Sequence, residues 1–183
     1  MTVLYVVSAV FILTIIYGII AYNRFIKQEN LCDEAFSGVQ VQLKRRYDLI
    51  PNVVSCVKGY AAHEKNTLEE IVAQRNSAMN AVGVAEKSTA ENALSRTLKT
   101  VFALAENYPD LKANQNFIQL QETLAHIEDD LQNARRYYNA TARTLNTMVK
   151  SFPSNLIASR FGFTPREFFQ ANETEQQNIQ VAF

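Results

Sequence analysis

Two hydrophobic patterns divide the chain. Residues 3–22, VLYVVSAVFILTIIYGIIAY, run without a single charge. From residue 24 onward apolar residues recur every three or four positions, the period of an α-helix with one buried face. The clearest stripe is Phe117, Leu120, Leu124, Ile127, Leu131, Ala134, Tyr138, Thr141, Leu145, Met148 and Phe152, where only Thr141 is polar. This a/d spacing predicts a helix of about 36 residues, roughly 54 Å long, with its seam turned to a bundle core. Gln119, Glu122, Asp129, Gln132 and Arg136 fall on its outer face.

An earlier stripe passes through Leu31, Ala35, Val39, Leu43 and Tyr47. It resumes at Ile50, Val54, Val57 and Ala61, then continues through Leu68, Ile71 and Met79. Pro51 interrupts it. Proline suits the first helical turn and not the interior, and Asp48 can serve as an N-cap. The stripe therefore predicts a break near residues 47–48, with a second helix starting there and Gly83 as its C′ residue. A third helix is expected from about residue 88 to 107, on Leu94, Leu98, Val101, Phe102 and Ala105. Asn107, Tyr108, Pro109 and Asp110 read as a turn.

The expected architecture is all-α: an N-terminal transmembrane helix followed by an antiparallel up-and-down four-helix bundle of long helices. Its parts are an anchor at 1–23, a bundle domain at 24–172 and a C-terminal tail at 173–183. Along that path the turns around 47–51 and 107–112 meet at a membrane-distal tip. The turn near 83–87 and the segment after Phe152 lie beside the membrane.

The anchor rests on length. About 20 apolar residues at 1.5 Å each cover a bilayer core of roughly 30 Å. Tyr5 lies near one end of the run, and Tyr17 and Tyr22 toward the other, as in an interfacial aromatic belt. Only Met1 and Thr2 precede the run, neither basic, and it ends without an A-x-A site. Both features favour a retained anchor over a cleaved signal peptide. Arg24 and Lys27 follow the run, with Lys44, Arg45 and Arg46 beyond. The positive-inside rule then predicts a single-pass inner-membrane protein with its N-terminus outside and its main domain cytoplasmic.

Composition narrows the functional classes. The 183 residues suit one domain plus a short anchor. Lys+Arg and Asp+Glu are each 18, so no basic footprint points to nucleic acid, and no such partner is expected. The 5 Gly and 4 Pro disfavour a turn-rich β fold. Cys32 and Cys56 form no C-x-x-C and read as reduced thiols on helix faces.

Catalytic motifs are not found. His63 and Glu64 open like a zinc-protease helix, but Thr67 stands where the second histidine must be. His126 precedes Glu128, Asp129 and Asp130, which fall on the polar side of a heptad helix and read as a solvated face. No phosphate loop, nucleophile elbow or paired Glu-x-x-His is present. No catalytic residue, cofactor or metal ligand is predicted.

Two surfaces remain as candidates. The first is the tip: Lys44, Arg45, Arg46, Tyr47 and Asp48 facing Tyr108, Asp110 and Lys112. It reads as a partner-docking surface, since Tyr and Arg are common interface anchors. It reads equally as helix ends, with basic residues on the dipole and Asp48 as a cap. The second is the segment holding Phe152, Arg160, Phe161, Phe163, Arg166, Phe168 and Phe169. Beside a bilayer its aromatics could insert while its arginines meet lipid headgroups. Alternatively the segment folds back as a lid over the core. Two prolines and scattered polar residues favour the lid.

Four stretches together resemble the LemA family: VQLKRRYDLIPNVVSCVKGYAAHEKNTLEEI (41–71), AENYPDLKANQNFIQLQETL (105–124), ARRYYNATARTLNTMVKSFPSNLIASRFGF (134–163) and PREFF (165–169). The resemblance covers nearly the whole chain. It is weakest at residues 83–93 and after Asn172. It implies a membrane anchor with an antiparallel helical bundle and no particular activity. Through relatives in magnetosome-forming bacteria it also implies a link to membrane organisation. The leading functional expectation is a non-enzymatic interaction or scaffold protein. It would touch the lipid bilayer through residues 3–22 and bind a protein partner or a further copy of itself. A membrane-bound enzyme with an unrecognised site, or a lipid-organising protein, are the alternatives. A pocket at the tip with buried, strongly perturbed ionisable groups would favour the enzyme.

Overall fold

Helical periodicity is realised throughout the computed structural model, which describes residues 1–170. The expected tail, residues 173–183, lies outside the described residues. The elements are α1 (Thr2–Lys58), α2 (Lys65–Asn80), α3 (Gly83–Ala105), α4 (Pro109–Lys112), α5 (Gln115–Lys150) and α6 (Ser154–Phe161). Among the described residues there is no strand, and the all-α expectation holds.

The expected break at residues 47–48 is corrected: α1 is one helix of 57 residues with Pro51 inside it. Proline removes the N–H that would bond the carbonyl four residues earlier, here that of Tyr47. The structure replaces that donor. Arg75 Nε, on α2, donates to Tyr47 O at 2.7 Å. Asp48, no longer a cap, pairs with Lys44 at 2.8 Å one turn earlier on the same helix. The chain reverses instead at residues 59–64.

The expected turn at 83–87 is also corrected: these residues are the first turn of α3, which starts about five residues before the expected position. Gly83 adopts φ +78°, the left-handed conformation expected of it, but it opens α3 rather than following α2 directly. The C-cap of α2 is Ala81. At the start of α5, Asn114 Oδ1 accepts the Phe117 N–H at 3.1 Å, a side-chain cap.

Two compact units share α1 and α5. The first comprises Met1–Gly38 and Arg136–Glu167. Its core is Phe25, Cys32, Leu145 and Ala158, with Met148, Val149, Ile157 and Phe163 packed against it. Burying a side chain such as Phe25 contributes about 1.5–3 kcal/mol. Gly162, at φ +80°, ends α6 in the left-handed conformation that glycine adopts without a Cβ clash. That turn brings the Phe163 ring onto Phe25, 4.7 Å between centroids and stacked. The following strap is tied to α5. Asn146 Oδ1 accepts the Arg166 N–H at 2.7 Å, and its Nδ2 donates to Arg166 O at 2.8 Å.

Among the described residues, the second unit holds Val39–Arg135 with residues 168–170. Val39, Leu43, Ile50, Val53 and Val57 of α1 are buried there, as are Ile71 of α2, Leu94 and Val101 of α3, and Leu124 and Leu131 of α5. The α1 stripe is shifted by one residue at two points: Cys32 rather than Leu31 is buried, and Val53 rather than Val54.

Arg75→Ala should lower stability by about 1–3 kcal/mol, the cost of an unpaired buried carbonyl. In a Pro51→Ala background the backbone N–H returns, and the same change should cost much less. Urea denaturation of the four proteins measures this, and equal losses in both backgrounds would remove the proposed compensation.

Candidate functional site

The expected tip residues do not come together. On α1 they split by helix face. Lys44, Arg45 and Asp48 are exposed, whereas Arg46 and Tyr47 turn inward with 1% and 6% of their surface accessible. Tyr108, Asp110 and Lys112 lie at α4, where Asp110 and Lys112 are exposed. Their neighbours come from the 59–64 turn. The Tyr108 phenol lies 3.1 Å from Glu64 Oε1, and Asn114 Nδ2 donates to the Tyr60 phenol at 2.8 Å. Tyr47 precedes Tyr60 by 13 positions, about 20 Å along a helix. The reversal that meets α4 is therefore residues 59–64, because α1 does not break at Asp48.

Arg46 and Tyr47 instead build a buried ionic cluster around Glu91, which is fully buried. Arg46 Nη1 donates to Glu91 Oε2 at 2.7 Å, and its Nη2 donates to Ser95 Oγ at 2.7 Å. Arg46 Nε lies 2.8 Å from Glu128 Oε1, an ion pair without hydrogen-bond geometry. Tyr47 donates its phenol proton to Glu91 Oε1, with Ala78 O 3.2 Å away. Arg135 Nη2 stands 3.9 Å from Glu91 Oε2, and the Arg135 guanidinium carbon lies over the Phe169 ring at 5.6 Å. Burial, reinforced by the Glu91 charge, pushes the Tyr47 phenol far above its ordinary pKa. The phenol therefore stays protonated as a donor. Two guanidiniums face two carboxylates, which balances the charge that burial would otherwise penalise.

Sequence reasoning missed Glu91, which fell in the stretch that matched the family least. A signal was present. Glu91 stands three residues before Leu94 and seven before Leu98, on the buried stripe of α3. Arg46 likewise sits seven residues after Val39 on the buried stripe of α1.

An open hollow of about 410 Å3 lies elsewhere on this unit, lined by Val54, Lys58, Ala62, Leu68, Glu69 and Val72. None of Arg46, Tyr47 or Glu91 lines it. The Tyr47 phenol and this hollow are thus separate. Among the described residues no three His, Cys, Asp or Glu side chains converge on a metal-sized space.

The aromatic segment divides between its two readings. Phe163 stacks on Phe25, and the Phe161 ring lies 4.8 Å from that of Tyr22, as a lid requires. Arg166 Nη2 is held by Glu29 and Asp33, each at 3.2 Å. Phe169 is buried in the second unit, and Phe168 is 43% exposed. Phe152 and Arg160 point outward. Nearby, burial pushes the Cys32 thiol above its ordinary pKa, and Cys32 and Cys56 are both free.

Residues 3–16 are exposed at every position, and α1 is the one helix among the described residues long and apolar enough to cross a membrane.

Comparison with known proteins gives concordant matches. The model of the LemA family matches residues 35–183. Protein LemA of Metamycoplasma hominis is 28% identical over 165 residues, covering 87% of this chain and 74% of that protein. Magnetosome protein MamQ 2 of Paramagnetospirillum magneticum is 24% identical over 175 residues, covering 81% of this chain and 64% of the relative. Magnetosome protein MamQ of Magnetospirillum gryphiswaldense is 22% identical over 174 residues, with the same coverage of 81% and 64%. The chain therefore spans somewhat less than two thirds of these magnetosome proteins.

Glu91→Ala should destabilise by about 3–5 kcal/mol, because it leaves Arg46 and Arg135 with Glu128 as the one carboxylate of the buried cluster. Replacing both partners with apolar residues, Arg46→Met with Glu91→Leu, should recover most of that loss. Thermal melts of the single and double variants check this. A double variant as unstable as Glu91→Ala would contradict a simple charge-pair account.

Proposed function

Because the chain belongs to the LemA family, we propose that it is a membrane-anchored, non-enzymatic helical module that binds protein partners, or further copies of itself, at the inner face of a bacterial membrane. The observation that carries this reading is the apolar run of α1, whose membrane-length window is 0% buried. So much exposed apolar surface is stable only in lipid or against another protein. The similarity to proteins of the magnetosome supports a place at a membrane. Arg24 and Lys27 after the run support a cytoplasmic main domain.

The helical domain is the interaction module in this reading. Its buried ionisable groups are engaged with one another: Arg46, Tyr47 and Arg135 all lie at Glu91. They are suited to fixing helix register rather than to turning over a substrate. Two exposed charged surfaces remain for partners, Lys44 with Arg45 and Asp48 on α1, and Asp110 with Lys112 at α4.

The full chain carrying a photo-crosslinking residue at Arg45 or at Lys112 tests the reading in native membranes. A discrete adduct at one of the two positions, absent when the residue is placed at the buried Leu131, is the expected result. Recovery of the isolated monomer from both positions would overturn the interaction role.

A further inference from the structure

Helix α6 lies against α1 within the apolar run itself. A Cβ built on Gly18 would meet Ile157 Cδ1 at 3.9 Å. Phe161 packs on Tyr22. Gly18 precedes the end of the run at residue 22 by four positions, so Ile157 touches α1 about 6 Å inside it. With residues 3–22 in a bilayer, α6 stands at the boundary between acyl chains and headgroups.

Its outer surface fits that depth. Phe152, Leu156 and Phe161 are 80%, 58% and 56% exposed. Phe152 shares a hollow with Tyr17 and Ile20 of the apolar run. The charges at the same level have one sign. Arg24 and Arg160 are exposed, and the Arg160 guanidinium lies 6.0 Å from the Phe161 ring. No Asp or Glu occurs in residues 1–28 or 131–166. Of the acidic residues that come next, Glu29, Asp33, Glu34 and Glu167, the first two are held by Arg166. Between α1 and the start of α6 lies a hollow of about 180 Å3. Tyr17, Ile20, Phe152 and Ser154 line it, with Arg24 contributing the charge. An apolar cleft with a guanidinium at its wall and no carboxylate suits the glycerol end of an anionic lipid.

We propose that α6 with Phe152 is an interfacial foot lodged in one leaflet, and that Arg24 at the wall of the hollow and Arg160 exposed on α6 each face the phosphates of anionic phospholipids there. The inference rests on the anchor of the proposed function and adds a second, peripheral membrane contact to it.

The chain has no Trp, so single-tryptophan variants report position directly. The full chain carrying Ile12→Trp, Leu156→Trp, Phe161→Trp or Tyr60→Trp is placed in vesicles of phosphatidylcholine and phosphatidylglycerol. Bromine is carried on the acyl chains of one lipid or the other. Tryptophan at 12, 156 and 161 should be quenched, and at 60 not. At 156, the brominated anionic lipid should quench more than the brominated zwitterionic one at equal fraction. Arg24→Gln with Arg160→Gln should abolish that excess while leaving quenching at 12 intact. Quenching at 12 without quenching at 156 and 161 would overturn the foot and leave the anchor standing. Equal quenching by the two lipids would overturn the phosphate site. No quenching at 12 would overturn both this inference and the anchor. Crosslinking of position 156 to a second copy, in place of quenching, would assign the face to self-association and overturn the lipid contact.

Discussion

The apolar run at the start of α1 is the constraint on which everything else depends. Its side chains are more hydrophobic than a water-exposed helix face tolerates, and no other part of the described chain covers residues 3–16. In water each buried CH2 would contribute about 0.8 kcal/mol that this arrangement leaves unrealised. In the proposed anchor, lipid would supply the missing environment, and it would also cover the aromatic outer face of α6.

A second constraint operates inside the helical domain. Helices packed side by side can slide in register, because apolar stripes are similar from turn to turn. A buried ion pair cannot slide without stranding a charge. Arg46, Tyr47 and Glu91 join α1 to α3, and Glu128 and Arg135 bring in α5. Arg75 joins α2 to the same turn of α1. One level of the bundle thus fixes four helices, and it is the level at which Pro51 would otherwise weaken α1.

Most of the helical architecture was legible from periodicity alone. The stripe from Phe117 to Leu145 predicts α5, and its positions are buried except Leu120 and Ala134, which are half-buried. Phe152 was assigned to the same stripe and is instead 80% exposed, because α5 ends at Lys150. The absence of a break at residues 47–48 has a physical reason. A proline's effect on a helix depends on whether its orphaned carbonyl finds another donor, and Arg75 is 28 positions from Tyr47. No local rule sees that contact. The same limit hid the ionic cluster. Arg46 was legible as a basic residue near a turn, but its partner Glu91 lies 45 positions away. In the aromatic segment, local reading identified the rings but not which faced inward. Gly162 settles that, by turning Phe163 back onto Phe25.

Extraction of native membranes with alkaline carbonate tests the central claim most directly, because it strips peripheral proteins and leaves lipid-spanning ones. The full chain should remain in the pellet, and a variant with Phe11→Asp and Ile15→Asp should leave it, since each charge at bilayer depth costs about 2.5–3.5 kcal/mol. Release of the unaltered full chain into the supernatant would contradict the account.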